Sequence, residues 1–529
     1  MSLLTGAGLV GIAGCLTDTD STPEGGDSTS ASGEDDTDSG SRSGGEITVG
    51  WYEQNIDNLD PHYVTNGEHF QVVPNICSGL TMMTPEVELQ GDLAENWSVE
   101  ADGARIVYNL REDVRFHNGD QFTADDVAFS IERSVSEEAP NSDLIAPLKP
   151  IDDGGVVVVD EYTVEVEFEE PFIPGLIYLS REGRAANIIN QRALEEMGRE
   201  DFQRTPVGTG PFEVTAHDVG ERIVLEAFDE YYRTDDGNQL PYLDRIEIRP
   251  IPEAGTISNA LQSGDVDFIN EVPLENASRI RDDSDLVTHE RPDLNFYTLS
   301  MNTEVEPFDS RTARRGITKL IDSEQLVEEG FFGNANAEPT LFTPALEWVY
   351  RDWEEKAQDQ AYDPDEGMRL LREAGAEDAS ITLLADNRTL RLIEIIQRQL
   401  SEAGLDVDID QVSTSVYWDR VGEADAVVTW SSGDYDPDVG IYRNFRSDGA
   451  WNDTRWGDSR IDELLDAQRT AADRDERRDM LWEIEDTLIR EAPVAFLMHR
   501  EDVVGHRAHL DGFVHVPFQR RLEYLYRTD

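Results

Sequence analysis

Lysine is almost missing from this chain. It stands at Lys149, Lys319 and Lys356, and arginine supplies the other cations of a 529-residue sequence. Acids outnumber basic residues 111 to 44, for a formal net charge of -67 at pH 7. So acidic a surface excludes nucleic acid as a partner, because binding phosphates requires the opposite sign. It also repels anionic lipid headgroups. Cysteine is nearly as scarce, at Cys15 and Cys77 alone, so no Cys-x-x-Cys zinc or redox pair exists. Long apolar runs are lacking too: Leu3 to Val10 is too short to span a bilayer. Enzyme signatures are missing, with no Gly-x-Ser-x-Gly, no His-Glu-x-x-His and no phosphate loop ending in Gly-Lys-Ser/Thr. Gly6, Gly8 and Gly11 have dinucleotide-fingerprint spacing but follow no strand. With so many acids, paired carboxylates say nothing about acid–base catalysis. His499, His506, His509 and His515 gather near the C-terminus without compact ligand spacing. No catalytic residue, cofactor or metal is therefore expected.

What is there is foldable. Hydrophobic residues make up 38% of the chain and aromatics 8%, which is too apolar for a disordered polyanion. The composition fits a folded protein adapted to extreme salt, where the Debye length falls to about 3 Å and self-repulsion is screened. The length calls for several lobes rather than one core. Residues 16–45 are mostly Ser, Gly, Asp, Thr and Glu without apolar periodicity, and read as a disordered acidic tether. Order is expected from Glu46, with Ile47-Thr48-Val49 as a strand. Ile106 to Leu110 alternates like a half-buried strand. Thr123 is placed to cap a helix with acids in its first turn. Val156 to Val159 and Tyr162 to Phe168 read as strands about an Asp160-Glu161 turn. Ile381 to Ala385, a helix from about Arg391 to Glu402 closed by Gly404, and Leu405 to Ile409 form a βαβ unit. Ile461 to Thr470 and Asp475 to Glu491 read as amphipathic helices.

Order and spacing of several motifs carry a resemblance. Leu93-Ala94-Glu95-Asn96-Trp97 leads through Asp102-Gly103 to Tyr108-Asn109-Leu110-Arg111, then Val114 to Gly119, Phe122 to Val127 and Ser130 to Arg133. Further on stand Pro206 to Phe212, Ser263-Gly264-Asp265-Val266-Asp267, Met301-Asn302 with Pro307-Phe308 and Arg311, and Tyr362-Asp363-Pro364 with Ala374-Gly375. This chain resembles the family 5 extracellular solute-binding proteins, the oligopeptide and dipeptide receptors of ABC importers, in a halophilic archaeal form. The resemblance implies an α/β chain with a type II periplasmic-binding-protein fold, two lobes with a hinge plus an extra domain. Lobe I would comprise 46-88, 205-298 and 500-529, the extra domain 89-204, and lobe II 299-499. It implies a binding protein rather than an enzyme, working with ABC permease subunits at the extracellular face of the membrane, and a monomer. Residues 1-15 resemble a truncated lipoprotein signal ending at Ile12-Ala13-Gly14-Cys15, so Cys15 would carry a lipid anchor.

The resemblance also points to a cleft. Val427-Val428-Thr429-Trp430 ends in a turn before Asp434-Tyr435-Asp436-Pro437-Asp438. These acids lack the glycine and glutamate of a calcium loop. In peptide-binding members the matching acid pairs with the ligand's α-amino group; here that is Asp434, with Asp436 as the alternative. A carboxylate in a water-poor cleft can hold an ammonium by charge-assisted hydrogen bonds, and Trp430 would supply an apolar wall. Arg388 matches a loop position that holds the ligand carboxylate in dipeptide binders. Asn295, Tyr297 and Asn302, near the crossover between lobes, line the cleft or pack the hinge. An oligosaccharide or other solute on the same scaffold remains open, with Trp348, Trp353, Trp418, Trp451 and Trp456 as stacking candidates, as does a secreted hydrolase. Asn96, Asn276, Asn387 and Asn452 lie in glycosylation sequons.

Overall fold

The computed structural model describes residues 42, 44–136, 138–183, 187–351, 359–430 and 435–529, with residue 143 described by its backbone alone. Cys15, the tether apart from residues 42, 44 and 45, Trp353 and Asp434 lie outside the described residues.

Among the described residues eleven strands join in one sheet. Its middle is a ribbon of two long antiparallel strands, Leu286–Met301 and Val494–Arg507. On one flank Ala426–Trp430 pairs with the first long strand. Next come Ser380–Ala385 and Asp406–Gln411, and Ser380–Ala385 runs parallel to both neighbours. On the other flank Phe268–Ile269 pairs with the second long strand. Beyond it lies Glu46–Trp51, again parallel to both of its neighbours. Arg245–Pro250, Arg222–Ala227 and Phe212–Asp218 complete that side, and the short Ala335–Asn336 pairs with the second long strand off this path. Two halves with parallel centres are thus bridged by one antiparallel ribbon.

The parallel centres need helices on their faces, and the sequence supplies them. Helix Leu390–Glu402 buries Leu392, Ile393, Ile395, Ile396, Gln399 and Leu400, the stripe expected of a 3.6-residue period. Gly404, at φ +106°, lets the chain reverse into Asp406–Gln411. This half packs on Leu299, Ile317, Ile381, Leu383, Ile396 and Val428. The other half packs on Val49, Trp51, Phe70, Ile76, Ile246 and Phe268, together with the fully buried Cys77.

A separate antiparallel sheet runs Ala94–Glu100, Arg105–Leu110, Thr163–Glu167, Val156–Asp160. The helix Ala124–Ser134 opens with a capping box between Thr123 and Asp126. It shares a core of Ile106, Tyr108, Val127, Ile131, Val164 and Val166 with that sheet. Helices Ser459–Thr470 and Arg474–Glu491 pair through Ile461, Leu465, Leu481 and Leu488.

The ribbon is not regular. Pro292 pairs with Glu501, and Phe296 pairs with His499, so Asp293, Leu294 and Asn295 face the lone Arg500 across a bulge. Proline cannot donate to a ladder, which favours such a break beside it, and bulges re-aim side chains.

Candidate functional site

The bulge opens onto a cavity of about 500 Å³, within the range of small-solute sites. Asp293, Asn295 and Tyr297 line it from the first long strand, and Arg500 and Asp502 from the second. One flanking half adds Arg388 and Trp430; the other adds Glu68, Gln71, Glu271, Phe518 and Arg520. Asn295 and Tyr297 therefore meet Arg388 and Trp430, far from them in sequence, in one place.

The aromatic wall follows from strand register. Tyr297 pairs with Trp430 across adjacent strands, and their rings stack with centroids 6.2 Å apart at 27°. Phe331 meets the Tyr297 ring edge-on at 5.2 Å. Arg388 lies over Trp418 at 5.0 Å, Trp430 at 5.1 Å and Tyr417 at 5.6 Å, a strong cation–π setting. Its Nε donates to Asp386 Oδ2 at 2.7 Å, and Nη2 lies 2.6 Å from the same oxygen. Among the described residues its Nη1 holds no hydrogen bond. Trp418 is 55% exposed, so this wall is open to an incoming ring or chain.

The opposite side is charged and dense. Asp502 is buried; burial alone would raise its pKa, but Arg520 and His515 hold the carboxyl far below the usual range. Arg520 donates from Nη2 at 2.7 Å and Nη1 at 3.0 Å, and His515 Nε2 lies at 3.1 Å. Asp293 is pushed up by burial and by repulsion from Asp502, against the pull of Arg500. Its Oδ1 accepts from Leu294 N at 2.6 Å and its Oδ2 from Asn295 Nδ2 at 2.8 Å. Burial works against the Arg500 charge, yet Glu271, Tyr297, Asp293 and Asp502 raise its pKa overall. Arg500 Nη2 donates to Glu271 Oε1, while its buried Nε has no partner among the described residues.

Two expected residues are placed elsewhere. Asp436 is buried, caps helix Pro437–Phe445 and is paired with Arg477. Asn302 Nδ2 donates to Ala424 O at 3.2 Å and its Oδ1 accepts from Glu304 N at 3.1 Å, beyond the far end of the strand. The four C-terminal histidines have separate partners. His499 meets Thr340, His515 meets Asp502, His509 meets Asp267 and His506 meets His289. Sequence reasoning missed Glu68, Glu271, Asp293, Arg500, Asp502 and Arg520. An acid carries no signal among 111 others. Arg500, a cation following the apolar run Val494 to Met498 and His499, offered the one usable hint.

Comparison with known proteins bears on the family and the fold. Residues 88–453 match the family described as bacterial extracellular solute-binding proteins, family 5 Middle. The glutathione-binding protein GsiB of Salmonella paratyphi A is 25% identical over 481 residues, covering 88% of this chain and 91% of that one. Among solved structures, the DppA periplasmic binding protein of Helicobacter pylori, in complex with peptide STSA, superposes with a TM-score of 0.76. It is 23% identical, over 92% of this chain and 99% of that one. AgaA of A. tumefacien R10, in complex with agropinic acid, gives a TM-score of 0.74 at 24% identity, over 91% and 99% of the two chains. The fold is that of the type II periplasmic binding proteins.

Proposed function

The chain belongs to the family 5 extracellular solute-binding proteins, and on that premise we propose that it is the receptor of an ABC importer for peptides, capturing them by hinge closure. The observation that carries this reading is the single cavity in which Asn295 and Tyr297 of the ribbon meet Arg388 and Trp430 of one half and Glu68 and Glu271 of the other. A solute held there touches both halves at once, so closing the halves about the ribbon buries it. Backbone groups freed at the bulge can read an extended peptide, with Trp430 and Tyr297 as its apolar wall. In this reading Arg388 takes the solute's carboxylate through its unoccupied edge, Asp434 remains the family-implied amine anchor, and no reaction is catalysed. Lobe I comprises 46-88, 205-298 and 500-529, the extra domain 89-204 and lobe II 299-499. Cys15 carries a lipid that holds a monomeric receptor at the extracellular face, where it delivers solute to the permease.

The names of the relatives widen the solute class to test. GsiB is named for glutathione and AgaA was solved with agropinic acid. The exposed Trp418 beside Arg388 keeps an oligosaccharide or other polar solute as a second reading. A thermal-shift screen in molar KCl against peptides, glutathione, oligosaccharides and nickel tests both. A solute at a hundredfold excess over its dissociation constant stabilises the protein by about 2.7 kcal/mol. Stabilisation by peptides supports the reading, and stabilisation by oligosaccharides alone replaces it.

A further inference from the structure

The cavity's charges are not balanced. Glu68 stands in the first turn of the short helix Gly67–Phe70 and lines the cavity beside Glu271. Beyond its own backbone N–H, no donor among the described residues reaches its carboxylate. Its peptide carbonyl is occupied, accepting from Trp51 Nε1 at 3.2 Å. Burial raises the Glu68 pKa, and the charges of Glu271 and Glu53 raise it further. Arg500 is the cation that acts against them, and its Nη2 is already committed to Glu271. Arg520, the other cation on this side, is committed to Asp502. Across the cavity the wall is of the other kind, with Arg388 lying over aromatic rings.

Resting on the receptor reading above, we propose that the transported solute carries a cationic nitrogen that docks on the Glu68–Glu271 wall. An ammonium or guanidinium there supplies the missing counter-charge and hydrogen-bond donors to the Glu68 carboxylate. The aromatic wall and Arg388 receive the rest of the molecule. Neutral and purely anionic solutes leave the Glu68 carboxylate without a donor beyond its own backbone N–H, which disfavours closure around them. Glu68 is thus a specificity-determining residue.

The source of the nitrogen is either a basic side chain, with the amino terminus left to Asp434, or a free amino terminus that Glu68 takes in place of Asp434, and one calorimetric experiment separates them. Peptides of two to five residues are titrated in molar KCl, each with a free or acetylated amino terminus and with a lysine or its neutral counterpart. Wild type, Glu68→Gln and Glu68→Ala are compared after melting curves show that each is folded. The expected result is a loss of tenfold or more in both variants for peptides that retain the docking nitrogen, and no loss for the acetylated, neutral members. Loss that disappears on acetylation assigns the amino terminus; loss that disappears with the lysine assigns the side chain. A second signature follows from the acid itself. Wild-type affinity falls as pH drops and Glu68 protonates, whereas Glu68→Gln shows no such fall. Variants that bind every cationic peptide within twofold of wild type overturn the proposal, as does a wild type that prefers uncharged peptides. A wild type that binds no peptide at all overturns the peptide reading beneath it.

Discussion

Arg477 clasps the carboxylate of Asp436 end to end, with Nη2 2.5 Å from Oδ1 and Nη1 2.6 Å from Oδ2. Both side chains are only 5% exposed. Arg477 also donates to Gln468 Oε1 from Nε at 3.0 Å and Nη2 at 2.8 Å. Asp436 Oδ1 accepts from Asp438 N at 2.9 Å, starting helix Pro437–Phe445. An acid that sequence offers as a solute anchor is thus a fastening between two helical segments.

Asp436→Asn consequently acts on stability. It leaves a buried guanidinium without its counter-charge, and breaking such a pair costs about 3–5 kcal/mol. Denaturant unfolding in molar KCl should show that loss. Unfolding indistinguishable from wild type would mean that the pair is not maintained in solution.

The contrast shows what the sequence could and could not reveal. Period and punctuation were enough for local structure. Thr123 starts its helix, Gly404 ends one at a positive φ, and the predicted run Asp475 to Glu491 is nearly the observed Arg474–Glu491. The ribbon was not legible, because Pro292, Asp293 and Asn295 interrupt the alternation of Leu286–Met301 and Gly505 interrupts Val494–Arg507. Without the ribbon, the charges that meet at its bulge could not be gathered. Trp430 and Arg388 were legible only through resemblance. Glu68 and Glu271 belong to loops and a short helix with no pattern of their own.

Buried imidazoles set a pH limit. Burial lowers His62 and His499 to about 4, whereas an unfolded imidazole titrates near 6.5. A depressed basic group favours the unfolded chain once that chain takes up the proton. Their contribution is therefore complete above about pH 6.5 and is lost as pH falls toward 4, by about 3 kcal/mol for each. Asp126 and Asp453, raised by burial to about 6, work in the opposite direction over part of this range. Imidazole carbon shifts in NMR should report neutral His62 and His499 at pH 5. A titration near 6.5 would contradict the burial.

Salt should hold the fold together. With a net charge of -67, dilution from molar to about 0.1 M KCl lengthens screening from about 3 to about 10 Å. The expected outcome is a lower melting temperature by circular dichroism, with loss of structure at the dilute end. A melting temperature that does not fall rejects the reading as an adaptation to salt.

The anchor is testable by fractionation. Expressed with a complete export signal, the wild-type protein should sediment with membranes, and Cys15→Ser should release it to the medium. Equal membrane association of the two would leave Cys15 without that role.

Arg388→Ala should weaken binding of a peptide with a free carboxylate by about 2–5 kcal/mol, if that carboxylate is desolvated in the closed cavity. The corresponding peptide amide should bind the variant and wild type alike. Calorimetry with this pair of ligands distinguishes a solute contact from a loop contact through Asp386.

The most direct measurement is a crystal structure of the complex with the strongest solute from the thermal-shift screen. Solute density is expected in the cavity at the ribbon's bulge, against Tyr297 and Trp430, with an anionic group at Arg388 and a cationic nitrogen at Glu68. Solute bound outside that cavity, or filling it without touching both halves of the molecule, would contradict this expectation.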